Sequence, residues 1–138
     1  MTAYVDASVL LRIILRAADP LPEWPQIERF VASTLIRVEC FRALHRLRIA
    51  EPLSDEEFAY RGEFTERTLT KLQLISISEA VLVRACGPLP SPLKTLDAIH
   101  LATASLWRER EEASISLATH DKQFALAARM MGFPVLGV

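Results

Sequence analysis

The chain has 138 residues, 51% of them hydrophobic and 24% charged, which fits one globular domain and excludes a disordered or collagen-like polymer. Sixteen basic and 17 acidic side chains leave a net charge of −1, so a uniformly basic surface that holds polyanions without selectivity is excluded too. Asp6, Arg12 and Arg16 interrupt the N-terminal apolar stretch, and no run is long enough to span a bilayer, so a soluble, cytoplasmic protein without membrane contact is expected. Cys40 and Cys86 sit in apolar contexts without CxxC spacing, which suits two reduced core thiols.

Thr2 to Val5 reads as a buried strand ending at Asp6. Ser8 to Arg16 has helical spacing, with Val9, Leu10, Ile13 and Ile14 inward and Arg12 and Arg16 on a wet stripe. Asp19-Pro20, Pro22 and Pro25 stop that helix, and a short helical stretch over 26–29 follows. Phe30 to Ala32 is a second strand, with Ser33 expected to cap a helix over 34–49 whose apolar face is Ile36, Cys40, Ala43 and Leu47. Ser54 and Glu57 form a capping box that opens a highly charged helix to about Leu69. A third strand is predicted over 72–77, a short helix over 78–85, and a rigid loop through Gly87, Pro88, Pro90 and Pro92. The helix over 95–108 is apolar or small almost all round, with Leu96, Ile99, Thr103 and Leu106 on one face. A fourth strand over 114–118, a helix over 122–131 closed by Gly132, and a fifth strand over 133–138 complete the chain. Strands separated by helices need crossovers, so the fold class is α/β: three layers around a parallel sheet of four to five strands, in a single domain over residues 1–138.

Several enzyme signatures are missing. No glycine follows the first strand, which removes dinucleotide fingerprints and phosphate-cradling loops. G-x-S-x-G and H-E-x-x-H are absent, and His45, His100 and His120 lack zinc-ligand spacing with the cysteines. Carboxylates remain. Asp6 ends strand one, Asp121 follows strand four, Asp97 opens the most apolar helix, and Glu39 sits between Val38 and Cys40 on a helix that packs on the same sheet. Each has a bland reading: Asp6 or Asp121 as a helix cap, Asp97 as a dipole partner, Glu39 paired with Arg42. Four acids brought to one edge are harder to dismiss. Two carboxylates about 5 Å apart repel by roughly 3 kcal/mol at an effective dielectric near 20. Such a cluster persists by protonating or by holding a cation, and oxygen donors alone select Mg²⁺ or Mn²⁺.

YVDASVLL at the N-terminus, the S-x-x-x-R-V-E-x-x-R-A-L stretch from Ser33 to Leu44, LDAIHLATA from Leu96, and ATHDKQFALAARMMG from Ala118 together resemble a PIN domain. More narrowly they resemble VapC, the toxin ribonuclease of VapBC toxin–antitoxin modules, over nearly the whole chain and in the expected order. The resemblance implies a metal-dependent endoribonuclease, with Mg²⁺ as cofactor and Mn²⁺ as substitute, RNA as substrate and a VapB-like antitoxin as partner; surplus aromatics on the charged helix, Phe58, Tyr60 and Phe64, point to antitoxin contacts or a homodimer. Matched by motif, the acidic quartet falls on Asp6, Glu39, Asp97 and Asp121, with Asp6, Asp97 and Asp121 as the metal set. Ser8 matches the family's hydroxyl beside the first Asp and Thr119 the one before the last. The segment between Leu15 and Phe30 is short for the family.

Arg42 and Arg46 continue the face of Glu39 and are candidate phosphate contacts; a solvated face paired with Glu39 or Glu51 is the alternative. His100, one turn after Asp97, and His120, before Asp121, suit supporting hydrogen bonds or packing. Two other function classes stay open: a PIN-type nuclease of RNA processing or of DNA, and a non-catalytic domain that binds nucleic acid or a partner.

Overall fold

The computed structural model describes residues 1–138. Five parallel strands, β1 (Thr2–Val5), β2 (Arg29–Ser33), β3 (Leu72–Ile75), β4 (Ser116–Ala118) and β5 (Val135–Leu136), lie in the order β3-β2-β1-β4-β5. Helices supply the crossovers: α1 (Ala7–Ile14), α2 (Leu35–Ala50), α3 (Asp55–Leu69), α4 (Glu79–Cys86), α5 (Thr95–Glu111) and α6 (Lys122–Met130). Parallel pairing demands such long connections, and it also demands that both faces of the sheet be covered. The predicted α/β/α class with a parallel central sheet is what forms.

Strand alternation sends successive side chains to opposite faces. Ala3, Val5, Ala32 and Leu72 join Leu10, Ile36, Cys40, Leu44 and Leu69 in one core. Tyr4, Val31 and Leu117 join Leu101, Ala104, Trp107, Phe124 and Ala128 in the other. Phe124 is fully enclosed, worth about 1.5–3 kcal/mol for the burial of its ring. No helix is long and apolar enough to cross a membrane.

The capping box at Ser54 and Glu57 forms as the spacing predicts, and Gly132 takes a positive φ of 77° where the last helix stops. Several local expectations are corrected. The segment before β2 is a 3₁₀ turn at Trp24–Gln26, with Arg29 already in the strand, because Pro25 suits the first turn of a helix and not its continuation. Thr34, not Ser33, occupies the N-cap of α2; Ser33 stays in the strand and its hydroxyl accepts from Leu35 N at 3.2 Å. The buried residues of α2 are Ile36, Cys40 and Leu44, with Ala43 and Leu47 half-buried, since the stripe four residues apart is the one that joins the core. On α5 the deepest residues are Leu101, Ala102, Thr103, Ala104 and Ser105, while Leu96 is exposed. Cys86 is exposed at the end of α4, so only Cys40 is a core thiol.

Candidate active site

Val5 of β1 and Ala118 of β4 are register partners, so Asp6 and Thr119 leave two neighbouring parallel strands side by side at their carboxyl ends. The sheet also reverses direction here. From β1 the chain builds outward through β2 and β3 on one side, and through β4 and β5 on the other. A crevice opens at such a switch point because the crossing helices diverge.

Asp6 lies in that crevice, 6% exposed, and caps α1 by accepting from Val9 N at 3.2 Å. Ser8 Oγ donates to its Oδ1 and Thr119 Oγ1 to its Oδ2, both at 2.6 Å. The direction of these bonds is dictated by the backbone. His120 N donates to Ser8 Oγ and Asp121 N donates to Thr119 Oγ1, both at 2.9 Å, so each hydroxyl has an amide to accept and a proton to give. Asp6 therefore acts as an acceptor through both oxygens, which is the role of an ionised carboxylate. Burial nevertheless pushes its carboxyl above the usual range, against the pull of those donors.

Asp121 caps α6, its Oδ1 accepting from Gln123 N at 2.8 Å and Phe124 N at 2.9 Å. Asp97 stands in the first turn of α5. Its carboxyl is raised above the usual range by burial first and Asp121 second, with further contributions from Asp6 and Glu39, while His100 lowers it. The bland readings thus hold for Asp6, Asp97 and Asp121 as helix-terminal residues, yet the same three acids also share one electrostatic neighbourhood. Glu39 belongs to it as well: it and Asp6 both add to the burial that lifts the Cys40 thiol to about 12.

Glu39 is not paired with Arg42. Its Oε2 meets His100 Nε2 at 2.7 Å, and His100 Nδ1 meets the Tyr4 hydroxyl at 2.8 Å. Tyr4 lies outside the predicted site set, because a tyrosine inside a buried strand reads as core; its only signal is that it stands two residues before Asp6. His120 donates its backbone amide to the Ser8 hydroxyl and bonds Gly137 O through Nδ1 at 2.9 Å. Gly137, at φ +93°, approaches so closely that a Cβ there would lie 2.6 Å from Thr119 O.

The arginines of α2 divide into two kinds. Arg37 pairs with Glu66 and Arg48 with Asp55, both on or at the start of α3. Arg42 and Arg46 make no ion pair; with Glu39, Val38, Leu11 and Leu96 they line a cleft of about 290 Å³.

Carboxylate and hydroxyl oxygens suit a hard divalent cation, and the mutual repulsion recorded at Asp97 is what such a cation relieves. No three His, Cys, Asp or Glu side chains converge closely enough to hold a metal ion between them. A divalent ion at this edge would be held at least in part through water.

The PIN-domain profile matches residues 3–130. Ribonuclease VapC46 of Mycobacterium tuberculosis is 33% identical over 134 residues, covering 96% of this chain and 95% of that one. Among solved structures, VapBC2 of Rickettsia felis, bound to a DNA fragment from its promoter, superposes with a TM-score of 0.65 at 14% identity, over 98% of this chain and 97% of that one. A toxin–antitoxin complex from Klebsiella pneumoniae gives 0.57 at 21% identity, over 90% and 91%.

Proposed function

This chain belongs to the PIN-domain family, and from that premise we propose that it is a VapC-type ribonuclease toxin hydrolysing RNA phosphodiesters at the four-carboxylate edge of its sheet. The reading includes a VapB-like antitoxin as partner, in keeping with the toxin–antitoxin neighbours, and a homodimer as the working form. The observation that carries it is that acids from the end of β1, α2, α5 and the start of α6 share one electrostatic neighbourhood, in which Asp6, Glu39 and Asp121 all raise the Asp97 carboxyl, although no three are close enough to hold an ion directly.

Asp6, Asp97 and Asp121 would hold a divalent ion, Mg²⁺ or Mn²⁺, through water. When bound, that ion supplies positive charge beside the scissile phosphate and makes water a better nucleophile. The rest falls to the chain itself. Ser8 and Thr119 aim both oxygens of Asp6 and keep it an acceptor. Asp121 has an Oδ2 oxygen without a protein hydrogen bond, its Oδ1 being used in the cap. Glu39 keeps Oε1 without a protein partner and orients the attacking water, accepting its proton as the oxygen attacks in line. Arg42 and Arg46 contact phosphates flanking the scissile one.

The test is cleavage of a structured RNA panel, with single-stranded DNA alongside, in Mg²⁺, Mn²⁺ and chelator. Cation-dependent RNA cleavage that disappears in Asp97→Asn is expected. Cleavage unaffected by chelator removes the cation, and preference for DNA removes the ribonuclease assignment.

A further inference from the structure

Behind Glu39 runs a chain of hydrogen bonds that crosses from β2 to β1, α5 and α2. Ser33 N donates to the Tyr4 hydroxyl oxygen at 3.1 Å. That hydroxyl meets His100 Nδ1 at 2.8 Å, and His100 Nε2 meets Glu39 Oε2 at 2.7 Å. Tyr4 is fully buried and His100 is 2% exposed, so bulk water does not compete for these groups.

The proton placement starts from the one donor whose direction is fixed. A backbone amide can only donate, so the phenol oxygen accepts from Ser33. The phenol proton then needs an acceptor, and His100 Nδ1 is the one in contact. A ring that accepts at Nδ1 and is neutral carries its hydrogen on Nε2, which points it at Glu39. The opposite arrangement, with Nδ1 protonated, makes the phenol accept twice and turns its own proton away from the ring towards Thr103, whose hydroxyl already donates to Ile99 O. The ring is also wedged in place: Tyr4 stands edge-on at 5.9 Å between centroids and Phe124 lies 6.4 Å away.

We propose that His100 is the positioning residue for Glu39, holding Oε2 through an Nε2 proton whose location Tyr4 dictates. Glu39 has three side-chain torsions, and Arg42 lies one helical turn away on the same helix. Anchoring Oε2 on the ring keeps the carboxylate off that arginine and leaves Oε1 for the attacking water. The proposal rests on the ribonuclease reading insofar as it gives Glu39 a substrate-facing task, but the hydrogen-bond chain can be measured without catalysis.

The experiment has two arms on the full chain. In the first, ring ¹⁵N shifts of His100 are recorded at neutral pH in wild type and in Tyr4→Phe. A protonated Nε2 and bare Nδ1 in wild type, with that preference weakened in Tyr4→Phe, is the expected result; a protonated Nδ1 in wild type overturns the proposal. In the second, kcat and KM for RNA cleavage in Mg²⁺ are measured for H100A, E39Q and the double variant. H100A alone should lower kcat by about 10–100-fold, as loss of an orienting partner typically does, with KM little changed. In the E39Q background the same change should cost less than about twofold, since the two residues act as a unit. An equal loss in both backgrounds overturns the proposal. If H100A does not fold, Tyr4→Phe takes its place in the cycle, because it keeps the ring and removes one oxygen. A wild-type chain that cleaves no RNA with either cation overturns the ribonuclease reading alone, and the ring-nitrogen arm then decides the positioning chain.

Discussion

Asp6 and Asp121 both cap helices at the same sheet edge, yet their surroundings differ. Asp6 is enclosed and has both oxygens bonded, by two hydroxyls and an amide. Asp121 is exposed, with one oxygen spent on the first turn of α6 and the other without a protein partner. Asp97 stands between these extremes, half-buried and pressed by the charge of its neighbours. Fixed dipoles orient the first acid, whereas the charge of the outer pair is left for something mobile to compensate. The site is thus rigid at its floor and electrostatically unfinished at its rim.

The largest expected effect comes from the floor. Asp6→Asn replaces a double acceptor with a group that offers hydrogens to hydroxyls already giving theirs, and cleavage should fall by at least about a hundredfold, read as initial rate on a fluorogenic RNA. Next is Thr119→Val, which takes one donor from Asp6 and leaves the Asp121 amide without its acceptor. A loss of about 1–3 kcal/mol in denaturant unfolding is expected, with a rate loss of about 10–100-fold.

The rim should respond in the opposite sense. The folded Asp97 carboxyl binds its proton more tightly than the unfolded chain does, because burial and Asp121 disfavour its charge. The contribution of Asp97 to cation-free stability, like that of the similarly raised Asp6, should therefore be fully present below the ordinary carboxylate range and decline as pH rises through the elevated folded value. Asp97→Asn should remove its share of that decline and raise the thermal midpoint at neutral pH by roughly 1–4 °C, while cleavage is lost. An unchanged or lowered midpoint would break the contrast with Thr119→Val, whose loss weakens the floor. The smallest effect concerns the arginines. Arg46→Ala should reduce the slope of log binding against log salt by about 1, while Arg37→Ala, already paired with Glu66, leaves it unaltered.

The residues that were legible in sequence are those whose task is local. Asp6 after a buried strand, Ser54 with Glu57, and Gly132 past a helix carry their geometry in spacing alone, because the partner of each lies within a few positions. The short apolar run from Thr2 to Val5 likewise announces a buried strand. What spacing cannot encode is contact made through the third dimension. Tyr4, Ser33, Glu39 and His100 come from four elements, and nothing in their separations along the chain indicates that they bond in series. The same limit explains the cysteines: both sit among apolar neighbours in sequence, but α4 turns Cys86 outward, where no second element covers it. It also explains α2, whose four arginines look alike until α3 is seen to claim Arg37 and Arg48 and leave the other two.

Gly137 carries no functional group, yet its α-carbon abuts the carbonyl of the residue whose hydroxyl aims Asp6, and its own carbonyl holds the His120 ring. A methyl group at that position would have to displace the β4 terminus or unlatch β5, and either movement shifts Thr119 relative to β1. A mutational screen scored on cleavage would therefore return Gly137 beside the acids, for a reason of clearance and not of chemistry. Substitution with D-alanine by chemical synthesis, which tolerates the positive φ and points its methyl elsewhere, would tell the two apart.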